Sequence, residues 1–236
     1  MYDLRPNAQR AKTAILLIWI ALATDAVSII VDILNYNLLV KAGHGYRISM
    51  EESTITQIQY FVVAALAFIV GVVSAITFIM WFRRAYYNLH LRVKRLRFDE
   101  GWAAGAWFVP IINLGRPVRI MSELYKETDK LFKKKLPGYE GVFTSTYITL
   151  WWTLWLLSGL VGRISYSVTR SAESISELKD ATIISLVVSA IGIILAVVTV
   201  KVIKDYAAME EKLPDVPVDE TMPQQGYNTA FYPRQQ

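Results

Sequence analysis

In the first apolar block of the chain, Asp25, Ser28, Asp32 and Asn35 fall within roughly 80° of one another on a helical wheel. A carboxylate among Val, Ile and Leu is costly unless it is paired, protonated or hydrated. At about 1.5 Å per residue, Asp32 lies about 27 Å in from residue 14, and Arg163 about 28 Å in from residue 144 of a later apolar block. This matching depth predicts an Asp32 to Arg163 ion pair. Thr146, Thr149, Thr153, Arg163 and Ser167 share one sector of that later block, which predicts that it faces the first. Asp25 has no charged partner at its depth and is expected to hold a proton or to bond Thr149 or Thr153. Three kinds of chemistry fit Asp25, Asp32 and Arg163: adhesion between helices, a polar pathway or ligand site, and snorkelling at a membrane boundary.

Other chemistry has less to work with. The chain has no cysteine, which excludes disulfides and thiolate catalysis. His44 and His90 are its two imidazoles, and the charge distribution puts them on opposite sides of a membrane, His90 as an interfacial surface residue. No phosphate-binding loop, zinc-protease, nucleophile-elbow or dinucleotide motif is present. No cofactor, metal or enzymatic activity is expected, and Glu51-Glu52 reads as a solvated pair.

Positioning these residues requires a membrane. The chain is 54% hydrophobic with a mean hydropathy of +0.33, above the roughly 45–50% apolar usage of soluble domains. The excess is gathered into blocks over about 14–39, 58–82, 144–166 and 181–203, each long enough to cross roughly 30 Å of hydrocarbon. Ala21-Leu22-Ala23 resembles a signal-peptidase site, but hydrophobicity resumes directly after it, so an uncleaved first span is expected. Small residues line one face of the second block (Ala64, Ala67, Gly71, Ser74) and of the fourth (Ser185, Ser189, Gly192, Ala196), as close helix packing requires.

Four spans put both termini on one side. With the termini inside, 20 of the 25 Lys and Arg are cytoplasmic, the bias of the positive-inside rule. The net charge of +5 is therefore read as topology and not as nucleic-acid binding. The predicted organisation is a cytoplasmic N-terminus (1–13), a four-span domain (14–205) and a Pro- and Gln-rich disordered cytoplasmic tail (206–236). All seven tryptophans lie in or near the cytoplasmic half and are expected to form an interfacial layer.

Between the second and third spans lies Gly101-Trp-Ala-Ala-Gly-Ala-Trp-Phe-Val-Pro-Ile-Ile-Asn-Leu-Gly-Arg-Pro117. Pro110 removes an N–H and disfavours helix at Val109. The apolar run from Trp102 to Ile112 is too short to cross, which predicts a re-entrant or interfacial segment in the cytoplasmic leaflet, extending over 102–135. A fifth, kinked span over 102–125 would spoil the charge bias. After Pro117, the apolar residues Val118, Met121, Leu124, Tyr125, Leu131 and Phe132 recur at helical spacing among lysines. They predict an amphipathic helix on the membrane surface, or packed on protein.

Trp81-x-x-Arg84-x-x-x-Asn88, followed by Trp107-Phe-Val-Pro-Ile-Ile-Asn-Leu-x-Arg-Pro117 and the helix with Met121, Glu123 and Leu124, resembles the bacterial membrane family named domain of unknown function 4328, over about residues 60–205. Gly115 departs from it, since the family usually has a bulky aromatic there. The resemblance implies four spans in a bacterial inner membrane and gives weight to Arg84, Asn88, Trp107, Pro110, Asn113, Arg116 and Pro117 as a structural or binding unit.

The expected fold is all-α, an integral membrane four-helix bundle with the leaflet segment and the amphipathic helix on its cytoplasmic side. Arg84, Asn88, Asn113 and Arg116 are expected to donate to the backbone broken at Pro110, or to hold a lipid head group. The function expected first is a membrane scaffold that binds anionic lipid, a membrane-protein partner or its own copies. The alternative is a small transporter or proton-linked channel built on Asp25, Asp32 and Arg163.

Overall fold

A computed structural model describes residues 4–141 and 144–217. Among these residues the chain is all-α, in six helices: α1 (Ala8–Gly43), α2 (Met50–His90), α3 (Trp102–Gly105), α4 (Arg116–Lys135), α5 (Thr146–Ser171) and α6 (Ile175–Glu210). Helices α1, α2 and α6 are long and apolar enough to cross a membrane. Both α2 and α6 open with a capping box, Ser49 with Glu52 and Ser174 with Glu177. Each pair satisfies N–H groups that the first turn leaves without helical acceptors.

Packing sets the order α2, α1, α6, α5: α1 lies against both α2 and α6, and α6 against both α1 and α5. The seam between α1 and α6 joins the polar face of α1 to the small face of α6. Asn35 donates to Thr182 at 3.2 Å, Asp32 lies beside Ser185, and Asp25 rests on Gly192, where a Cβ would collide with its carboxylate. The same intervals recur on the two antiparallel helices, so one register satisfies all three contacts. On α2 only the lower half of the predicted small face packs. Ser74 is buried and donates to the Leu17 carbonyl at 3.1 Å, while Ala64 and Gly71 are exposed.

The Asp32 to Arg163 ion pair does not form. Helix α6 separates α1 from α5, and Arg163 is exposed. Small residues admit a neighbouring backbone, whereas α5 presents Trp151, Trp152 and Trp155, and α1 took the closer seat.

At one end of the bundle, α4 lies across the ends of the other helices. Ile120, Met121, Leu124 and Phe132 are fully buried, and the Tyr125 hydroxyl donates to the Val202 carbonyl. The apolar stripe of α4 is thus packed on protein and not on lipid. The seven tryptophans of the expected interfacial layer differ in burial: Trp19 is exposed and Trp102, Trp107 and Trp155 are half-buried. Trp81, Trp151 and Trp152 are buried, and the Trp152 and Trp155 rings stack at 4.7 Å.

Nor does order stop at residue 205. Helix α6 continues to Glu210, and Leu213 and Val216 pack on Phe132. The remainder of the predicted disordered tail, 218–236, lies outside the described residues.

The seam makes a test of close packing. Gly192→Leu drives a side chain into Asp25 and is expected to cost about 1–3 kcal/mol. Gly71→Ala, in open helical space, is expected to be neutral or to stabilise by up to about 1 kcal/mol. Thermal unfolding in mild detergent reads both, and equal melting points for the two variants would refute the seam.

Candidate functional site

The segment between α3 and α4 breaks as its prolines predict, and the break takes an unusual form. The Ile112 N–H donates to the Pro110 carbonyl at 2.8 Å, with Ile111 between them at φ 68°, ψ −47°. This is a γ-turn of the rare, strained kind. A β-branched residue at positive φ is disfavoured, at a cost of about 1–3 kcal/mol. The turn holds Ile111 outward, 83% exposed, beside Phe108 at 75%. Val109 and Leu114 are exposed around them, so the tip is an apolar knob. The 3-10 turn Ile112–Leu114 and Gly115 then lead into α4, with Pro117 buried in its first turn.

The broken backbone finds donors, but not the expected ones. The Trp152 indole N–H donates to the Leu114 carbonyl at 3.2 Å, and the Trp107 indole to Ala103 at 3.1 Å. Trp107 sits between α2 and α5, with its ring 5.8 Å from Phe78 and 5.6 Å from Trp155. It fills the gap between two helices that do not pack along their length. Asn113 contributes its backbone N–H to the Val109 carbonyl at 3.0 Å, and its side chain is half-buried. The Arg116 guanidinium lies 4.1 Å over the Trp102 ring and 5.5 Å from Phe98, a cation–π shelf at the base of the knob.

Arg84 and Asn88 serve a different place. The Asn88 side chain accepts from the Arg5 N–H at 2.9 Å, and donates to the Arg5 carbonyl at 2.9 Å and to Glu210 at 2.7 Å. Asn7 donates to the other Glu210 oxygen at 2.8 Å and to the Trp81 carbonyl at 3.3 Å. The stretch before α1 and the ends of α2 and α6 are thereby clamped together. Arg84 is half-buried in the same neighbourhood, and burial together with nearby Arg10 and Arg5 lowers its pKa. Burial also raises the Glu210 carboxyl above its ordinary value, against the opposing hydrogen bonds from Asn7 and Asn88 and the charge of Arg84.

Sequence reasoning missed Glu210 and Asn7. They meet across 203 positions, and neither stands in a motif. Asn88 does donate, but to the Arg5 carbonyl and Glu210 and not to the backbone around Pro110.

His90 is half-buried, edge-on to Tyr86 at 4.8 Å, and not a surface residue. Burial lowers its pKa, opposed by a hydrogen bond at Phe98 and by the charges of Glu100, Asp99 and Glu123. The Tyr86 hydroxyl donates to Glu123 at 2.6 Å and lies 3.1 Å from the Phe98 carbonyl, and Glu123 accepts from the Arg97 N–H. The α2–α3 connection is thus tied to α4.

A family model described as Domain of unknown function (DUF4328) matches residues 44–208. The chain belongs to that family. No curated protein and no solved structure matches it. The family region takes in the knob, the indole donors, Arg84 and Asn88, whereas Asp25, Asp32 and Asn7 on or before α1 stand outside it.

Two outcomes test the clamp. Asn88→Ala removes three hydrogen bonds and strands part of a buried carboxylate, so it is expected to cost about 2–4 kcal/mol in detergent unfolding. A carboxyl whose folded pKa is raised binds its proton more readily in the native state, so its contribution to stability declines as pH rises. The decline begins near the ordinary value of 4.5. The melting point of the wild type should therefore fall relative to that of Glu210→Gln as pH rises from 4.5; parallel curves would contradict the burial of Glu210.

Proposed function

We propose that the protein is a multi-pass inner-membrane scaffold, with both termini cytoplasmic, whose γ-turn knob enters the cytoplasmic leaflet and whose basic end binds anionic lipid head groups. The observation that carries this reading is the knob: Phe108 and Ile111 are exposed at a strained turn, beside α4, whose Ile120, Met121, Leu124 and Phe132 are packed away. An exposed apolar tip at the level of Phe78 and Trp155 is favourable in hydrocarbon and costly in water.

In this reading α5 is a span too, the third in chain order. Its 26 residues reach about 39 Å at 1.5 Å each, and it lies along α6. Charge supports the orientation, since 19 of the 24 Lys and Arg among the described residues fall in the segments at the end that carries α4. A groove of about 330 Å³ lined by Arg97, Arg119 and Lys126, and by Glu123 and Glu127, opens there, beside the Arg116 shelf; Glu123 is engaged by Tyr86 and Arg97 and Glu127 by Lys130. The transporter reading is weaker, because Arg163 stands apart from Asp25 and Asp32 with α6 between them.

The absence of cysteine makes a depth measurement direct. Ile111→Cys, labelled with an environment-sensitive fluorophore, should be quenched by bromine-bearing lipid chains and shielded from aqueous iodide. Quenching by iodide alone would sink the insertion. Replacing Arg97 and Arg119 with Gln should lower the phosphatidylglycerol retained in native mass spectrometry by about fivefold for each charge, at about 1 kcal/mol per basic residue. Phosphatidylcholine retention should not change.

A further inference from the structure

Towards its C-terminal end α5 carries Arg163, Tyr166, Ser167 and Arg170, which fall within roughly 100° of one another on the helix. All four residues are exposed, Tyr166 at 67%. None of the four side chains has a hydrogen bond, ion pair or ring contact among the described residues. Hydroxyls nearby on α5 and along α6 behave differently: Ser171 donates to the Ser167 carbonyl at 3.1 Å, and Thr182 and Thr199 donate to carbonyls four residues back. Helix α5 contains no Asp or Glu, so the two guanidiniums and two hydroxyls form a set of donors with no carboxylate beside them.

The turn into α6 sets the depth of this face. Helices α5 and α6 pack as a hairpin joined by residues 172–174, and α6 carries Glu177, Lys179 and Asp180 before an uncharged stretch from Ala181 to Val200. Counted from residue 173 at about 1.5 Å per residue, that stretch begins about 12 Å down, with Arg170 at about 4.5 Å, Ser167 at about 9 Å and Arg163 at about 15 Å. The apolar boundary therefore passes between Ser167 and Arg163. An exposed arginine just inside it is costly unless it meets an anion or reaches water. Tyrosine at this level is an interface residue.

The bilayer supplies an anion at that depth, the lipid phosphodiester. A soluble anion meets Arg170 but has to leave water to reach Arg163. A second copy of the chain brings only Asp25 and Asp32 into the membrane as carboxylates, and both are held in the α1–α6 seam, Asp25 on Gly192 and Asp32 at 1% exposure. An arginine fork binds two phosphate oxygens at once. Ser167 lies about 6 Å along the axis from Arg163 and about 4.5 Å from Arg170, distances that an extended arginine covers, so one phosphate beside Ser167 is within reach of both. A head group that carries its own ammonium sets a cation against them, which favours a lipid of net negative charge.

We propose that this face of α5 is an outer-leaflet site for an anionic phospholipid, in which Arg163 and Arg170 hold the phosphodiester, Ser167 donates to it and Tyr166 lies beside the head group. The proposal rests on the scaffold reading in one respect, that α5 spans the membrane. The lipid site of that reading is at the other end of the molecule.

The full chain in mild detergent is titrated with phosphatidylglycerol and separately with phosphatidylcholine, and native mass spectrometry counts the lipids retained. Arg163→Gln together with Arg170→Gln should weaken the binding of one phosphatidylglycerol by about fivefold for each charge, with phosphatidylcholine unchanged. The same loss should recur in a chain that already carries Arg97→Gln and Arg119→Gln, because well-separated sites act independently. Arg163→Lys with Arg170→Lys keeps the charges and removes the forks, and it should also bind phosphatidylglycerol more weakly than the wild type. Both pairs are at exposed positions and should keep the helical circular dichroism of the wild type. Wild-type affinity in the Gln pair overturns the site, and wild-type affinity in the Lys pair reduces it to diffuse charge and overturns it too. Glycerol phosphate is the head group without its chains. Displacement of phosphatidylglycerol by an equal concentration of it assigns the face to a soluble anion and overturns the lipid. Leu160→Cys, 58% exposed and one turn deeper, separates this proposal from the reading it rests on. With a fluorophore there in nanodiscs, quenching by iodide and not by bromine-bearing lipid fails the α5 span and the site with it. Quenching by the lipid, combined with wild-type affinity in the Gln pair, fails the site alone.

Discussion

A backbone that leaves the helix beside hydrocarbon must find partners for its carbonyls within the protein, and the α4 end of this molecule is arranged around that requirement. Between the end of α3 at Gly105 and the start of α4 at Arg116 the chain leaves the helix, which frees carbonyls on both sides of Pro110. Indoles satisfy two of them: Trp152 at Leu114 and Trp107 at Ala103. An indole is suited to the task because it donates one hydrogen bond from a large apolar body, so it meets the polar need without bringing in a second unsatisfied group. The same ring of Trp107 fills the gap between α2 and α5. Trp107 thereby joins Phe78, Trp151, Trp152 and Trp155 in one aromatic cluster.

Helix α6 is the second organising element. It is the one long helix that packs on both α1 and α5, and its ends meet different polar partners. At the α4 end Glu210 gathers Asn7 and Asn88 into a clamp. At the other, Thr182 receives Asn35 and Ser185 lies beside Asp32. Between them Gly192 receives Asp25. Helix association in a membrane gains little from the hydrophobic effect and relies on close packing and interhelical hydrogen bonds, and the α1–α6 seam supplies both.

The elements were legible because their signals are local. Apolar blocks gave the long helices, and the spacing after Pro117 gave α4 and its first turn. Proline at 110 gave the break, and the small face of α6 marked a seam. Pairing was less legible. Depth alone put Asp32 level with Arg163, but depth does not say which helix lies next to α1, and α6 lay between. The lipid-facing reading of α4 failed for a similar reason: an amphipathic stripe records that one face is buried and not what buries it. The clamp could not be read at all, since an asparagine before α1 and a glutamate at the end of α6 carry no pattern that links them.

The sequence by itself determined the all-α class, three of its four expected spans as helices long and apolar enough to cross a membrane, the proline break and the family, because composition, periodicity and short motifs act within one or two helical turns. Only the tertiary structure decided which faces meet: the order α2, α1, α6, α5, the strained γ-turn that holds Ile111 outward, the indoles that serve the broken backbone and the exposure of Arg163. Each of these depends on the distance between segments far apart in the chain, and on which side chain reaches a given polar atom first.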